Sequence, residues 1–245
     1  MRTLRKAIAT VLAGALQVIA GTGNASAADQ APIVIDFANE TVGAEPTSFA
    51  AAVGSWRIAT DGDRKVLMVD GSKWKEGQPS AGLADKARTL YGERYAEFLD
   101  NVTNYAFYPI AVARQIDDFQ DGEISVRFKG LAGRIDQGAG IMFNLQPNGN
   151  YYTLRANALE NNLVLWKYER GRRSSVKWVR NTPTATLQWH DLKVEVHGAQ
   201  IKGYLDGKLY LEHTLPAPVS GRIGVWSKAD SVVYFTDYRV IRAAP

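Results

Sequence analysis

The sequence predicts an all-β fold, a two-sheet antiparallel jelly-roll sandwich with one short helical insertion, and three observations carry that prediction. From residue 105 onward, runs rich in branched and aromatic residues recur at intervals of about 8 to 12 residues. Turn chemistry separates them: Pro147-Asn148-Gly149-Asn150, then Gly171, then Asp206-Gly207, the last a two-residue hairpin signal. Within the runs, side chains alternate. Leu192, Val194 and Val196 share one face while Lys193, Glu195 and His197 share the other, as expected for a strand with one face in a core between two sheets.

Taken in order, Ile33 to Phe37, Ser55 to Ala59 and Val66 to Val69 suit two or three opening strands. Gly82 to Asn101 differs: Leu83, Ala87, Leu90, Tyr91, Tyr95, Phe98 and Leu99 recur at spacings of three and four, which predicts the helical insertion. Interrupting a β-protein, it would cover a sheet edge or act as a lid over a binding surface. The array follows as Ala106 to Arg114, Glu123 to Lys129, Ala139 to Leu145, Tyr151 to Asn157, Leu163 to Glu169 and Ser174 to Arg180. Leu192 to His197, Ile201 to Leu205, Lys208 to His213, Arg222 to Ser227 and Val232 to Ile241 complete it.

The N-terminus reads as a cleavable secretory leader, residues 1–27, ahead of one β-sandwich domain over residues 28–245. Arg2, Arg5 and Lys6 precede an apolar run from Ala7 to about Ala20, and Ala25-Ser26-Ala27 supplies a small-residue cleavage pattern. The apolar run is short for a bilayer span, and no later stretch approaches one. The expected location is therefore the periplasm or the medium. The chain has no cysteine, so burial rather than disulfides must stabilise it. The leader would remove three of the 29 basic residues and none of the 25 acidic ones, leaving 26 against 25, a net charge of +1. Near-neutrality argues against a nucleic-acid partner.

Several segments together resemble a known family. They are Gln137-Gly-Ala-Gly-Ile-Met-Phe, Asn150-Tyr-Tyr-Thr-Leu-Arg-Ala-Asn-Ala-Leu-Glu-Asn-Asn-Leu, Trp189-His-Asp-Leu-Lys-Val, Tyr204-Leu-Asp-Gly-Lys and Gly224-Val-Trp-Ser-Lys-Ala-Asp-Ser. The chain is similar to exported bacterial LamG-like domains, above all those grouped as 3-keto-disaccharide hydrolases, from about Tyr105 to Arg242. The resemblance implies a concanavalin A-like jelly roll whose concave sheet meets carbohydrate, and its family name implies glycoside cleavage.

A sugar needs flat rings for its apolar faces and amide or guanidinium groups for its hydroxyls. Tyr151, Thr153, Arg155 and Asn157 alternate with Tyr152, Leu154 and Ala156, so Arg155 and Asn157 share a face. Asn144 has the parity of Gly140 and Met142 and is expected to join them. Val164, Trp166 and Tyr168 lie opposite Leu163 and Leu165, and Trp226 shares a face with Lys228. The candidate ligand-binding set is thus Arg155, Asn157, Asn144, Trp166, Tyr168, Trp226 and Lys228. The competing expectation makes Trp166 and Trp226 core rings and Arg155 a partner for a surface carboxylate.

Catalytic residues are not identified by the sequence. The Glu-x-Asp-x-x-Glu strand motif of laminarinase-type relatives is absent. Asp117, Asp118, Asp121 and Glu123 cluster, yet a turn leading into a strand accounts for them. Glu160, in the family-like segment, is the acid to mutate first. His190 and Glu195 should face opposite sides of one strand, whereas Glu195 and His197 share a solvent side, which is too few ligands for zinc. No cofactor is required, although a divalent metal is compatible with an enzyme. Three functions remain: a carbohydrate-recognition domain, a glycoside-cleaving enzyme, or an envelope protein-interaction module.

Overall fold

The computed structural model describes residues 31–74, 82–102 and 107–243, so the leader read above lies outside the described residues. Two antiparallel sheets form a jelly-roll sandwich. The chain opens with β1 (Ile33–Ile35), β2 (Phe49–Val53), β3 (Trp56–Asp61) and β4 (Arg64–Asp70), and then α1 (Leu83–Tyr91) and α2 (Tyr95–Val102). There follow β5 (Ile110–Ala113), β6 (Gly122–Ala132), β7 (Gly138–Leu145), β8 (Tyr151–Asn157), β9 (Asn162–Glu169) and β10 (Arg172–Arg180). β11 (His190–His197), β12 (Gln200–Leu205), β13 (Lys208–Thr214), β14 (Arg222–Ser227) and β15 (Val232–Arg242) complete the chain. One sheet runs β13-β12-β11-β6-β15-β4-β3 with β1 also on β15; the other, of seven strands, runs β10-β9-β8-β7-β14-β5-β2.

Alternation explains how the sheets face each other. Leu192, Val194 and Val196 of β11 enter the inter-sheet core with Ile124, Val126 and Phe128 of β6, and Tyr152, Leu154, Ala156, Leu163 and Leu165 meet them from the seven-stranded sheet. On the outer side of β11, Lys193 pairs with Glu195, whose other oxygen accepts from the Tyr204 hydroxyl at 2.8 Å. The Asp206-Gly207 hairpin forms as predicted: φ values of 50° and 76° put both residues in the left-handed region that a tight β-hairpin requires.

The seven-stranded sheet departs from the simple picture of one dry and one wet face. All seven residues of β8 are buried, because a second apolar cluster lies on the sheet's outer face. The helical insertion supplies much of it. Leu83, Ala87 and Leu90 of α1 and Phe98 and Val102 of α2 pack with Ala50, Ala52 and Val53 of β2 and Ile110 and Val112 of β5. The segment therefore covers the β2 edge, as one expectation held, and continues onto the face. It is a helix pair rather than one helix, since Gly92 at φ 53° ends α1 and a short 3-10 turn precedes α2. The Arg222 guanidinium donates to the Leu90 carbonyl at 3.0 Å and fixes α1 against β14. No helix among the described residues is long and apolar enough to cross a membrane.

Candidate functional site

On the outer face of the seven-stranded sheet, over β8, β9 and β10, the sequence pattern concentrates polar chemistry. Pairing of Arg155 with Val164 and of Asn157 with Asn162 sets the outward residues of β8 and β9 side by side. Gly138 and Gly140 stand opposite Asn157 and Arg155 on β7. These two glycines leave room: a Cβ on Gly140 would stand 2.7 Å from the Thr153 methyl and 3.2 Å from the Trp226 ring, and one on Gly138 would approach Arg155 and Trp226 at 3.6 Å. The Trp226 ring thus packs close to both glycines. Gly140→Ala is expected to push the indole off this seat and cost about 1–3 kcal/mol by overpacking. A denaturant midpoint equal to wild type would show that the ring does not rest there.

Two linked polar networks fill this face. In the first, the fully buried Asp136 accepts from the Asn157 amide and pairs with the Lys228 ammonium. In the second, Arg155, only 2% exposed, donates through Nη1 to Glu160 at 3.1 Å and to Asn162 at 2.8 Å, and Asn162 also donates to Glu160 at 2.8 Å. Local geometry builds both. The Asn157 side-chain oxygen accepts from the Leu159 N–H and shapes the β8–β9 turn, which places Glu160 over Arg155. Asp230 accepts from the backbone N–H groups of Arg134, Ile135 and Asp136 at 2.8 to 3.1 Å and holds the loop that carries Asp136.

The carboxyl groups are tuned apart. Burial pushes the Asp136 carboxyl above its usual range, with Lys228 opposing. Burial also acts to raise Glu160, but the Asn162 hydrogen bond and the Arg155 charge together outweigh it and hold Glu160 below the ordinary value. Asp230 is likewise depressed: its burial is outweighed by the backbone donors of Ile135, Arg134 and Asp136. Depressed carboxyls contribute stability that is fully present above the ordinary carboxylate value and lost as pH falls through the folded value. Unfolding free energy is therefore expected to fall below about pH 4, and less steeply in Asp230→Asn. Equal acid slopes for variant and wild type, measured by urea titration, would remove Asp230 from the account.

Aromatic rings border the networks. Trp226 is fully buried, with Tyr108 stacked on it at 5.7 Å and Tyr168 tilted against it at 6.3 Å. Tyr168 stacks on Tyr151 at 4.2 Å. Trp166 is 7% exposed and meets the edge of Trp178 at 5.3 Å, and Trp178, at 41%, presents its ring to solvent. The Arg173 guanidinium lies 4.1 Å from the Trp166 ring centre and 5.1 Å from that of Tyr108. Solvent thus reaches this region at Trp178, Glu160 and partly at Lys228, while Arg155, Asn157 and Trp226 stand behind them.

Of the residues named from the sequence, Arg155, Asn157, Trp166, Tyr168, Trp226 and Lys228 come together on this face. Asn144 does not. Its φ of 57° breaks the alternation of β7, so that Met142 and Leu145 both join the outer cluster, and its side-chain oxygen instead accepts from the Ser220 N–H at 3.0 Å and from Gln146 at 3.0 Å. Both tryptophans are packed rings as well as neighbours of the polar networks. The acidic cluster near β6 disperses: Asp117 pairs with Arg222, Asp118 accepts from Ser220, Asp121 accepts from the Gly198 N–H and Glu123 faces Lys193. His190 is buried, with its ring nitrogens at Asp206 and the Ala185 carbonyl, and His197 stands exposed. Among the described residues no three histidine or acidic side chains converge to hold a metal. Sequence reasoning missed Asp136, Arg173, Tyr108 and Trp178. The signal for the first was Gly138-x-Gly140, directly after Asp136-Gln137, since paired glycines on one strand face mark a place where something packs close.

The opposite sheet carries a cleft of about 290 Å³ lined by Ser125, Arg127, Asp191, Asp237 and Arg239. Arg127 pairs there with Asp191 at 3.3 Å in a partly exposed setting, and among the described residues no ring lines the cleft, so it lacks the composition of the site on the seven-stranded sheet.

Comparison with known proteins gives the fold an independent footing. No family model matches the chain, and no curated protein does. Among solved structures, the carbohydrate-binding module CBM66 from Bacillus subtilis is similar with a TM-score of 0.55 at 17% identity, over 78% of this chain and 94% of that one. A Bacillus subtilis protein of unknown function with a galectin-like fold follows at a TM-score of 0.44 and 14% identity, over 56% of this chain and 78% of that one. A Bacillus licheniformis β-glucanase follows at 0.45 and 12%, over 86% and 92%. At such identities the likeness to the first of them is one of fold, a jelly roll shared across nearly its whole length.

Proposed function

We propose that this chain is an exported carbohydrate-recognition protein that holds a glycan against the outer face of β8, β9 and β10. The observation that carries the reading is the pair of charge networks, Lys228–Asp136–Asn157 and Arg155–Glu160–Asn162, buried beside aromatic rings on the outer face of the seven-stranded sheet. Burying such groups costs desolvation energy that an apolar patch would avoid, and nothing in the sheet pairing requires them. Charged and amide groups fixed in direction beside rings suit a ligand with many hydroxyls and a flat apolar face. The name of the CBM66 structure, a carbohydrate-binding module, agrees with this reading. So does the resemblance to the 3-keto-disaccharide hydrolase group, which narrows the ligand to glycosides, oxidised ones included. Export rests on the leader-like residues 1–27, followed by one β-sandwich domain.

One observation favours a second reading, glycoside cleavage at the same place. Asp136 is raised and Glu160 lowered around the shared Arg155, the separation of carboxyl properties that acid/base chemistry uses. The test is incubation of the protein with plain and 3-keto glycosides, with and without chelator, following binding and sugar release together. Binding without release supports recognition; release abolished by Glu160→Gln supports cleavage; neither signal contradicts both and turns attention to a protein partner.

A further inference from the structure

We infer that the ligand of this site is an acidic glycan, one bearing carboxylate or sulfate groups, which runs along the edge strand β10; the inference rests on the carbohydrate reading above. Among the described residues β10 pairs only with β9 and ends the seven-stranded sheet. From Arg170 to Arg180 the sequence Arg-Gly-Arg-Arg-Ser-Ser-Val-Lys-Trp-Val-Arg contains five basic residues and no acidic one. Register fixes their direction. Arg173 lies opposite Tyr168, Trp178 opposite Val164 and Arg180 opposite Asn162, which puts all three on the face of the candidate site. Val179, opposite Leu163, packs instead against the inter-sheet core.

Charge accounting decides the sign of the ligand. Asp136 and Glu160, the acidic groups of the site, are engaged by Lys228 and Arg155. Among the described residues Arg173 and Arg180 take part in no ion pair with an acid, so the rim on this face carries excess positive charge. Arg173 is held by rings rather than by a carboxylate, at 4.1 Å from Trp166 and 5.1 Å from Tyr108, and Arg180 stands 6.0 Å from Trp178. The Arg173 guanidinium also hydrogen-bonds Tyr168, and its Nη1 has no hydrogen-bond partner among the described residues, so a donor remains there for a planar or tetrahedral anion. The exposed Trp178 between the two arginines offers a stacking surface for a sugar ring. Arg173 and Arg180 are separated along β10 by roughly 20 Å at strand rise, the reach of an oligosaccharide rather than of one sugar. Basic residues on an edge strand also deter edge-to-edge pairing. That purpose needs charge alone and gives no reason for an exposed tryptophan aligned with two arginines.

The test is calorimetric titration of the full mature chain with oligogalacturonate, dextran sulfate, neutral dextran and galactan, and poly-glutamate, all at 0.15 M salt. The expected result is binding to at least one acidic glycan, about tenfold or more tighter than to the neutral glycans and poly-glutamate. The acidic member that binds identifies carboxylate or sulfate as the anion. Arg180→Gln, on an exposed side chain, should weaken that binding about tenfold, and Arg173→Gln by at least as much. Equal affinity for a neutral glycan would overturn the inference and leave the carbohydrate reading standing. Equal affinity for poly-glutamate would overturn it as charge attraction alone, and absence of binding to every glycan would overturn both.

Discussion

Lys228→Met is expected to destabilise the fold by about 3–5 kcal/mol, because it leaves the carboxylate of Asp136, fully buried, without its cation. The Asn157 amide and the charge of Arg155 remain, but neither replaces the direct ion pair to a buried carboxylate. Asp136 would answer by taking up a proton, so the loss should shrink as pH falls toward 4, the reverse of the acid behaviour expected from Asp230. For a chain of this size the loss corresponds to a Tm lower by roughly 6 to 20 °C. Removing both charges, as Lys228→Met with Asp136→Leu, should recover much of it, since paired apolar replacements avoid the desolvation cost. If Lys228→Met is as stable as wild type at neutral pH, the buried pair does not support the loop before β7.

Arg155→Met is expected to have the largest effect on ligand binding, a loss of about a hundredfold or more with a smaller loss of stability. Glu160 is partly solvent-exposed and regains water when the arginine goes, so only about 1–2 kcal/mol of stability is at stake. Binding suffers more, for Arg155 orients Glu160 and Asn162 through one Nη1 and lies 5.8 Å from the Trp166 ring centre. Its loss removes the anchor of both polar groups at once. Arg155→Lys should not restore affinity, because an ammonium cannot reproduce the planar fork. Isothermal titration with a bound glycan checks this; unchanged affinity in both variants would place the ligand elsewhere.

How much of this was legible in the sequence follows from how each residue signals its role. β8 and β14 carry the bounds that the sequence predicts, because runs rich in branched and aromatic residues end there between flanking turns. β2, Phe-Ala-Ala-Ala-Val, was not anticipated: alanine carries little strand preference, and all five residues are buried between the core and α1, which erases alternation. The inward and outward rows of β8 and β9 were correct, and with them Arg155, Asn157, Trp166 and Tyr168 came to one face. What parity cannot show is what covers that face. The expected open row at Tyr151, Thr153, Arg155 and Asn157 is buried in the structure, because helices and the Tyr108 segment pack there, a long-range arrangement with no local signature. Asn144 misled for a local reason, a positive φ that only the folded strand reveals. Asp136 was missed because a loop aspartate before a glycine strand reads as turn chemistry until Lys228, distant in sequence, is seen beside it.

A glycan seated on the outer face of the seven-stranded sheet would be reported by the indole N–H resonances of the protein. In a titration of the labelled protein with a binding glycan, the account predicts that Trp178 and Trp166 shift, while Trp56, buried against Phe235 in the inter-sheet core, and Trp189, beside Lys129 on the other sheet, stay in place. Shifts confined to Trp189, with Trp166 and Trp178 unmoved at saturation, would contradict it.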